Sequence, residues 1–400
     1  MLGLVVHSLQ LTQLLKLKLS NISFMKTYQI GIVGYGGFGK FLHHWWNTLE
    51  GVKVAAASDG KFEDDVTGDF RKYNKWEDLI ADERLDIVSI ATPPAFHVKI
   101  ASAAMRSGKH VLLEKPVAIT IAEAETLRQV QQETGKVVIV DHMLRYNPIV
   151  KAFIALSKEE IFGRLRHAVV SNYAQDDSLP ADHWFWDKNV SGGIFIEHGV
   201  HFFDIINALT NQKFSKVYGV SYERNNQQID QVSALVLYNQ GLIVGHYHSF
   251  SGPGFFEETT IRLTYDLAKV EIRGWIPMSG SIKFLASEAT REKLNLVPGL
   301  KINKTEPIGG LVDFSRPEGW GDISATETTN VQGGGLTYQV DEMISAEFEI
   351  AQSKSEIYGH CLKSILSDLI TKIENPSHQL QVTLDDAIES LRIAALAEDQ

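Results

Sequence analysis

The sequence predicts an α/β protein in two parts: a parallel sheet flanked by helices, then an α+β unit with an open, mainly antiparallel sheet. Three observations carry this. A short apolar run, Ile30 to Val33, feeds directly into Gly34-Tyr35-Gly36-Gly37-Phe38-Gly39 and then into a helical pattern. Strand-like apolar runs alternate with helical periods as far as Val140. Beyond about residue 210 the pattern shifts to short alternating runs with turn signals such as Asn239-Gln240-Gly241, the mark of antiparallel strands.

The glycine stretch comes first. G-x-G-x-x-G between a strand and a helix is the dinucleotide fingerprint of a Rossmann fold. Gly34 allows the tight turn, Gly36 lets the backbone approach a pyrophosphate, and Gly39 lets the helix pack on the strand. Gly37 and Phe38 complete the loop, where the helix N-terminus offers unpaired N–H groups to phosphates. The bland alternative is a tight turn without a ligand, and the flanking strand and helix weigh against it. Phe41, Leu42, Trp45, Trp46 and Leu49 predict a helix over Lys40–Leu49, with the Trp pair as core. Val52–Ser58 is a second strand ending at Asp59, twenty residues past Gly39. A carboxylate there accepts hydrogen bonds from the adenosine ribose and repels a 2′-phosphate, which favours NAD over NADP. The alternative for Asp59 is a solvated turn residue before Gly60.

Further strands are expected over Asp86–Ala91, Val111–Leu113 and Lys136–Val140, with helices over Trp76–Ala81, Ala95–Ser107 and from Thr120 to Gly135. Thr120 and Glu123 form a capping box. Thr92-Pro93-Pro94 and Glu114-Lys115-Pro116 each follow a strand. Ligands of such sheets bind at the carboxyl ends of the strands. The glycine loop, Asp59 and these two triplets all fall there.

Composition narrows the function classes. The chain has 400 residues, 44% hydrophobic and 22% charged, enough for two domains with real cores. A net charge of −11 without a basic cluster argues against nucleic acid as a partner. The single cysteine, Cys361, excludes an internal disulfide and a Cys-based metal cluster. Residues 1–24 are apolar, lack acidic residues, and place Lys16 and Lys18 after the apolar run. They lack the order of a secretory signal and are too short and interrupted to span a membrane. We expect them to be an extension ahead of a start at Met25, and the protein to be cytoplasmic and free of membranes. The expected domains are a cofactor-binding unit over 25–146 and a substrate-binding and oligomerisation unit over 147–400. In the second, Asn147 caps a helix begun by Pro148. Strands follow over Arg164–Tyr173, Lys216–Tyr222, Gln231–Tyr238, Leu242–Phe250, Thr259–Tyr265 and Lys269–Gly274. Residues 296–338 read as a long excursion or lid, with helices over Glu349–Ile373 and Leu384–Leu396.

Residues 86–120, DIVSIATPPAFHVKIASAAMRSGKHVLLEKPVAIT, resemble the Gfo/Idh/MocA family of NAD(P)-dependent oxidoreductases. The glycine loop, the Thr92-Pro93-Pro94 loop with His97, Glu114-Lys115-Pro116 and Arg145-Tyr146-Asn147-Pro148 occur in the family's order. The resemblance runs from Met25 to the C-terminus, most strongly over residues 28–210. It implies cofactor contacts at Thr92, Pro93, His97, Glu114 and Lys115. It implies a substrate edge drawing on Lys115, Arg145, Tyr146, His183, Trp184 and His198. Family members carry Asp-x-Gly-x-His at this edge, and here the stretch reads Glu197-His198-Gly199-Val200-His201. His201 matches the family histidine, and Glu197 stands at the aspartate position with one methylene more.

The implied reaction moves a hydride between the nicotinamide and a carbinol or carbonyl of a sugar, cyclitol or related polyol. The accompanying proton needs an acceptor within hydrogen-bond reach. Lys115 is expected to exchange that proton or hold the oxygen, His201 to act as an acid/base titrating near neutrality, and Glu197 to orient it. Without the resemblance, Lys115 reads as a surface ammonium and His201 as a satisfied helix histidine. Glu197, His198 and His201, with His246 and His248, invite a metal reading. The order E-H-x-x-H is not the zinc-protease H-E-x-x-H, so no metal is expected. No G-x-S-x-G elbow supports a serine hydrolase. Two rivals stay open: a redox-neutral NAD-dependent glycosidase of the same family, and a dinucleotide-binding regulator without turnover. The family's open sheet implies a homo-oligomer, a dimer or tetramer.

Overall fold

The computed structural model describes residues 24–60, 62, 67–176, 179–225, 228–308 and 330–398. The first sheet comprises β1 (Tyr28–Val33), β2 (Val52–Ser58), β3 (Arg71–Tyr73), β4 (Ile87–Ile90), β5 (His110–Leu113) and β6 (Val138–Val140). All pairs are parallel, in the order β3-β2-β1-β4-β5-β6. The strands are short and almost wholly apolar because helices cover both faces. Those helices are Gly37–Trp46, Trp76–Ile80, His97–Arg106 and Ile121–Thr134. The Thr120–Glu123 capping box is formed, and Gly135 ends its helix in the left-handed region. The strand order reverses between β1 and β4, which opens a crevice above their carboxyl ends.

The second sheet is built from β7 (Leu165–Gln175), β8 (Phe214–Asn225), β9 (Gln228–Tyr238), β10 (Ile243–Gly252), β11 (Glu258–Tyr265), β12 (Ala268–Arg273), β13 (Ser279–Ala286) and β14 (Leu300–Pro307). β15 (Asn330–Gly333) and β16 (Leu336–Gln339) form a separate hairpin, and β17 (Glu342–Glu349) returns to the large sheet. Its order is β14-β17-β13-β12-β11-β7-β10-β9-β8, antiparallel except for the β7–β10 pair. Helix Val200–Leu209 lies against the inner face, where Phe203 stacks on His246. Helix Leu384–Glu398 packs on that helix and on β8. The other face of β8–β10 and β7 carries exposed Tyr218, Val220, Tyr222, Leu235 and Tyr173.

Part of the expected lid is a sheet edge instead. Leu300–Pro307 pairs with β17 as the outermost strand. The β15–β16 hairpin is tied back to the sheet by the Tyr338 hydroxyl, which donates to Asp266 at 2.7 Å, and by Arg166 donating to the Gly334 carbonyl. Residues 309–329 of that stretch lie outside the described residues. The helix expected from Glu349 begins later, at Lys354, because Ser353 and Glu356 cap it and Glu349 still belongs to β17. This helix, Lys354–Glu374, crosses back to the first sheet, where the Trp46 indole donates to the Leu362 carbonyl at 3.0 Å.

Candidate active site

The glycine loop has the shape its sequence predicts. Gly34 has φ +91°, and a Cβ there would meet the Ala91 carbonyl at 2.4 Å. A Cβ on Gly39 would meet the Gly34 carbonyl oxygen at 2.1 Å, so helix and strand touch backbone to backbone. At Gly36 and Gly37 a Cβ would meet nothing within 4 Å. The loop is therefore a cradle closed by packing on one side and open on the other, which fits a pyrophosphate over the helix N-terminus. Asp59 ends β2, and its Oδ2 accepts from the Tyr35 backbone N–H at 2.8 Å, which ties the glycine loop to the second strand.

A cleft of about 230 Å³ opens above the carboxyl ends of β4, β5 and β6. Thr92, Pro94, Glu114 and Lys115 line it from the first sheet, with Phe38 from the glycine loop. Trp184, Glu197, His201 and Trp275 line it from the second. Glu197 sits on a π-helical turn, Phe195–Gly199, that runs into helix Val200–Leu209. Such turns insert one residue into a helix and re-aim the side chains around it. Glu398, near the end of the last helix, accepts from the Phe195 N–H at 2.7 Å and holds the start of this turn. Lys115 Nζ then donates to Glu197 Oε1 at 2.5 Å and to the Glu197 carbonyl at 2.8 Å.

His201 is buried, with its ring edge against Trp275 at 4.9 Å between centroids. Its Nδ1 has no hydrogen-bond partner among the described residues. Burial first, then the positive Lys115, pushes its pKa well below 6.5. The expectation that His201 titrates near neutrality is thereby corrected, and in this cleft the ring is neutral. His198 does not line the cleft; it stacks on Trp275 behind His201, and burial lowers it to about 3.

Several predicted residues serve the frame of the site. His97 is buried, with Nδ1 facing the Pro116 carbonyl at 2.7 Å and Nε2 facing the Thr92 carbonyl at 2.8 Å. It clamps the two triplet loops together, and burial pushes it down to about 4 against the pull of those carbonyls. Pro93 precedes the short turn Pro94–Phe96 and shapes the same loop. Arg145 is not brought to the cleft. Its Nε and Nη2 both donate to Asp204 at 2.7 Å, and Nη1 donates to the Gln381 carbonyl at 3.0 Å. Tyr146 is likewise buried, its hydroxyl donating to Asp368 at 2.6 Å. Placed so, Arg145 and Tyr146 join the two parts of the chain and leave no group for a substrate. His183 caps the Trp184–Trp186 turn by accepting from the Phe185 N–H, and so aims Trp184 at the cleft.

Asp141, Met143, Trp275 and Tyr358 line the cleft and escaped the sequence reading, as did Ala91 at the end of its strand. Asp141 follows β6 and was findable by the same rule that found Glu114. Tyr358 and Trp275 come from distant segments that only tertiary packing brings here. Burial, and then the charge of Asp141, hold the Glu114 carboxyl well above the usual range. Burial also raises Asp141. Among the described residues no three His, Cys, Asp or Glu side chains converge as a metal site. No described helix is long and apolar enough to cross a membrane.

A Rossmann sheet joined to a mixed sheet, with a cleft between them at the strand ends, defines the class: a dinucleotide-binding oxidoreductase fold. Residues 28–142 match the family described as oxidoreductase family, NAD-binding Rossmann fold, and residues 150–266 match the GFO/IDH/MocA C-terminal domain. The chain belongs to the Gfo/Idh/MocA family. It is similar to 1-carboxy-3-chloro-3,4-dihydroxycyclo hexa-1,5-diene dehydrogenase of Comamonas testosteroni, 26% identical over 250 residues, 58% of this chain and 62% of that protein. It is also similar to inositol 2-dehydrogenase of Salmonella typhimurium, 34% identical over 129 residues, 30% of this chain and 38% of that protein. The chain thus spans less than two thirds of the length of either relative. The crystal structure of myo-inositol 2-dehydrogenase from Lactobacillus plantarum shares the fold, with TM-score 0.66 at 18% identity over 94% of this chain and 97% of that one.

Proposed function

We propose that this protein is an NAD-dependent dehydrogenase acting on a carbinol/carbonyl pair of a cyclitol, sugar or related polyol. The observation that carries the reading is the meeting of Lys115 and Glu197 in one cleft with His201, next to the glycine cradle. Gly34, Gly36, Gly37, Phe38 and Gly39 would hold the pyrophosphate, Asp59 the adenosine ribose, and Thr92, Pro93 and Glu114 the nicotinamide end. When bound, the nicotinamide supplies the hydride acceptor or donor. Lys115 presents N–H donors to the substrate oxygen and takes or returns its proton. Glu197 keeps that ammonium aimed into the cleft. Neutral His201 has a lone pair able to accept a hydrogen bond or proton from a substrate hydroxyl. Trp184 and Trp275 give a sugar or cyclitol ring apolar walls.

The working unit is a homo-oligomer paired through the open sheet face, where Tyr218, Val220, Tyr222 and Leu235 stand exposed together. The single thiol, Cys361, is buried and suits a reducing cytoplasm. The relatives' names support a cyclitol or related ring as substrate. A screen of inositols, sugars and polyols with NAD, read at the NADH absorbance, tests the reading. Net NADH with one of them supports it. Glycoside cleavage without net NADH replaces it with the glycosidase, and tight NAD binding without any turnover replaces it with the regulator.

A further inference from the structure

Glu114 and Asp141 are an unusual pair to find at the floor of this cleft. In the register of the parallel sheet Leu113 lies beside Val140, so the next residues leave adjacent strands side by side. Registered residues of adjacent strands put their side chains on the same face, and both residues line the one cleft, so the two carboxyls lie side by side. Asp141 is buried, and Glu114 is half-buried with its Oε1 enclosed. Glu114 Oε1 and Asp141 Oδ1 have no partner among the described residues. Two carboxyls in contact away from water cannot both ionise readily, so at neutral pH the pair holds one proton between them. The groups facing the pair are Lys115 from the same loop, Tyr358 and Cys361 from helix Lys354–Glu374, Tyr146 beside β6, and uncharged Phe38 from the glycine-loop helix. Lys115 is the one of these that is ordinarily a cation, and Glu197 already accepts from it. Burial, the largest influence on both carboxyls, outweighs the pull of the Lys115 charge and keeps the proton on the pair.

We propose that this pair gives up its proton when an oxidised, positively charged nicotinamide ring enters the cleft, so that the chain binds NAD⁺ in exchange for H⁺. The inference rests on the reading of the cleft as the nicotinamide site. A cation brought beside the pair favours its doubly ionised form, and the released proton goes to solvent. NADH carries no ring charge and leaves the proton in place. ADP-ribose lacks the nicotinamide ring altogether. The exchange makes oxidised-cofactor affinity rise with pH while the reduced cofactor is held evenly, which biases the resting protein toward NADH under acid conditions.

Calorimetric titration with NAD⁺, NADH and ADP-ribose, in buffers of different ionisation enthalpy, counts the protons directly. The expected result is release with NAD⁺ alone near pH 7, and an NAD⁺ affinity that rises toward tenfold per pH unit on the acid side. Glu114→Gln should abolish the release, and Lys115→Met should retain it. Binding of NAD⁺ without release, or equal release with ADP-ribose, overturns the exchange while leaving the cofactor reading intact. Release that survives Glu114→Gln but disappears in Lys115→Met assigns the proton to the lysine and also overturns it. Failure of NAD⁺ to bind at all removes both readings. Should Glu114→Gln fail to fold, the three-ligand comparison on the unmutated protein still decides.

Discussion

Lys115 lies two residues past β5 of the first sheet, Glu197 sits on the π-turn leading into helix Val200–Leu209, and their side chains meet at 2.5 Å. The lysine also donates to the Glu197 carbonyl at 2.8 Å, so it reads both the side chain and the backbone of the opposite wall. Each side chain keeps about one seventh of its surface exposed, 15% and 14%, and both line the cleft.

Lys115→Ala should lower turnover by about two to four orders of magnitude, the range for a positioned acid/base. NAD affinity should change only modestly, because the pyrophosphate is held by the loop Gly34–Gly39 rather than by Lys115. Glu197→Asp should fall between the two, with Lys115 present but no longer gripped. Steady-state kinetics on the substrate from the screen, beside an NAD titration, check this. Near-normal turnover of Lys115→Ala would leave the mechanism without its central group.

Two of the loop's four glycines, Gly36 and Gly39, should fail in opposite ways. Gly36→Val places its side chain in open space, so the protein should fold with an unchanged melting temperature yet lose NAD binding. Gly39→Ala must push the helix off the Gly34 carbonyl, because its Cβ would lie 2.1 Å from that oxygen. It should therefore melt earlier, by an amount typical of a core clash, about 1–3 kcal/mol. Thermal melts with and without NAD separate the two. A Gly36→Val protein that still binds NAD would place the cofactor elsewhere.

Asp59 should set the choice of dinucleotide. The unmutated protein should bind NAD more tightly than NADP, and Asp59→Ser should narrow the gap by removing carboxylate–phosphate repulsion. Because Asp59 also accepts from the Tyr35 N–H, the variant should weaken NAD binding as well. Competitive titration of the two cofactors is the measurement, and a wild-type preference for NADP would sink the idea.

The first half was legible because its signals are local. The β1–glycine–helix unit, the Thr120 box and the Asn147 cap each specify their own backbone within a few residues. The strand-end rule then placed Asp59, Thr92, Glu114 and Lys115 on one edge without any tertiary information. Arg145 shows where that logic stops. Its sequence neighbourhood resembles a family motif, but its guanidinium is engaged by Asp204 and the Gln381 carbonyl, residues 59 and 236 positions away. Over Leu300–Pro307 the lid expectation failed for a related reason. The polar composition around Leu300–Pro307 is that of an edge strand exposed along nearly its whole length, and composition alone does not distinguish such a strand from a loop.

His142, His201, His246 and His248 are all buried, and burial holds each below its ordinary pKa. Neither ring nitrogen of His246 or His248 has a hydrogen-bond partner among the described residues, so nothing in their surroundings rewards protonation. The sign follows from linkage. Above pH 6.5 folded and unfolded chains both carry these rings neutral, and the contribution to stability is full. As pH falls below that value the unfolded chain takes up protons that the folded chain refuses, and stability is lost. Each ring costs up to about 1.4 kcal/mol per pH unit, so four together remove up to about 5 kcal/mol per unit. That is comparable to the whole stability of many domains. Melting temperature should therefore fall steeply between pH 6.5 and 5, before most exposed carboxylates titrate. His246→Leu, which keeps the packing against Phe203, should hold its melting temperature at pH 7.5 and lose part of the acid slope. A melting temperature that is flat from pH 7 to 5, or a His246→Leu slope equal to that of the unmutated protein, would show that these rings do not govern the acid limit.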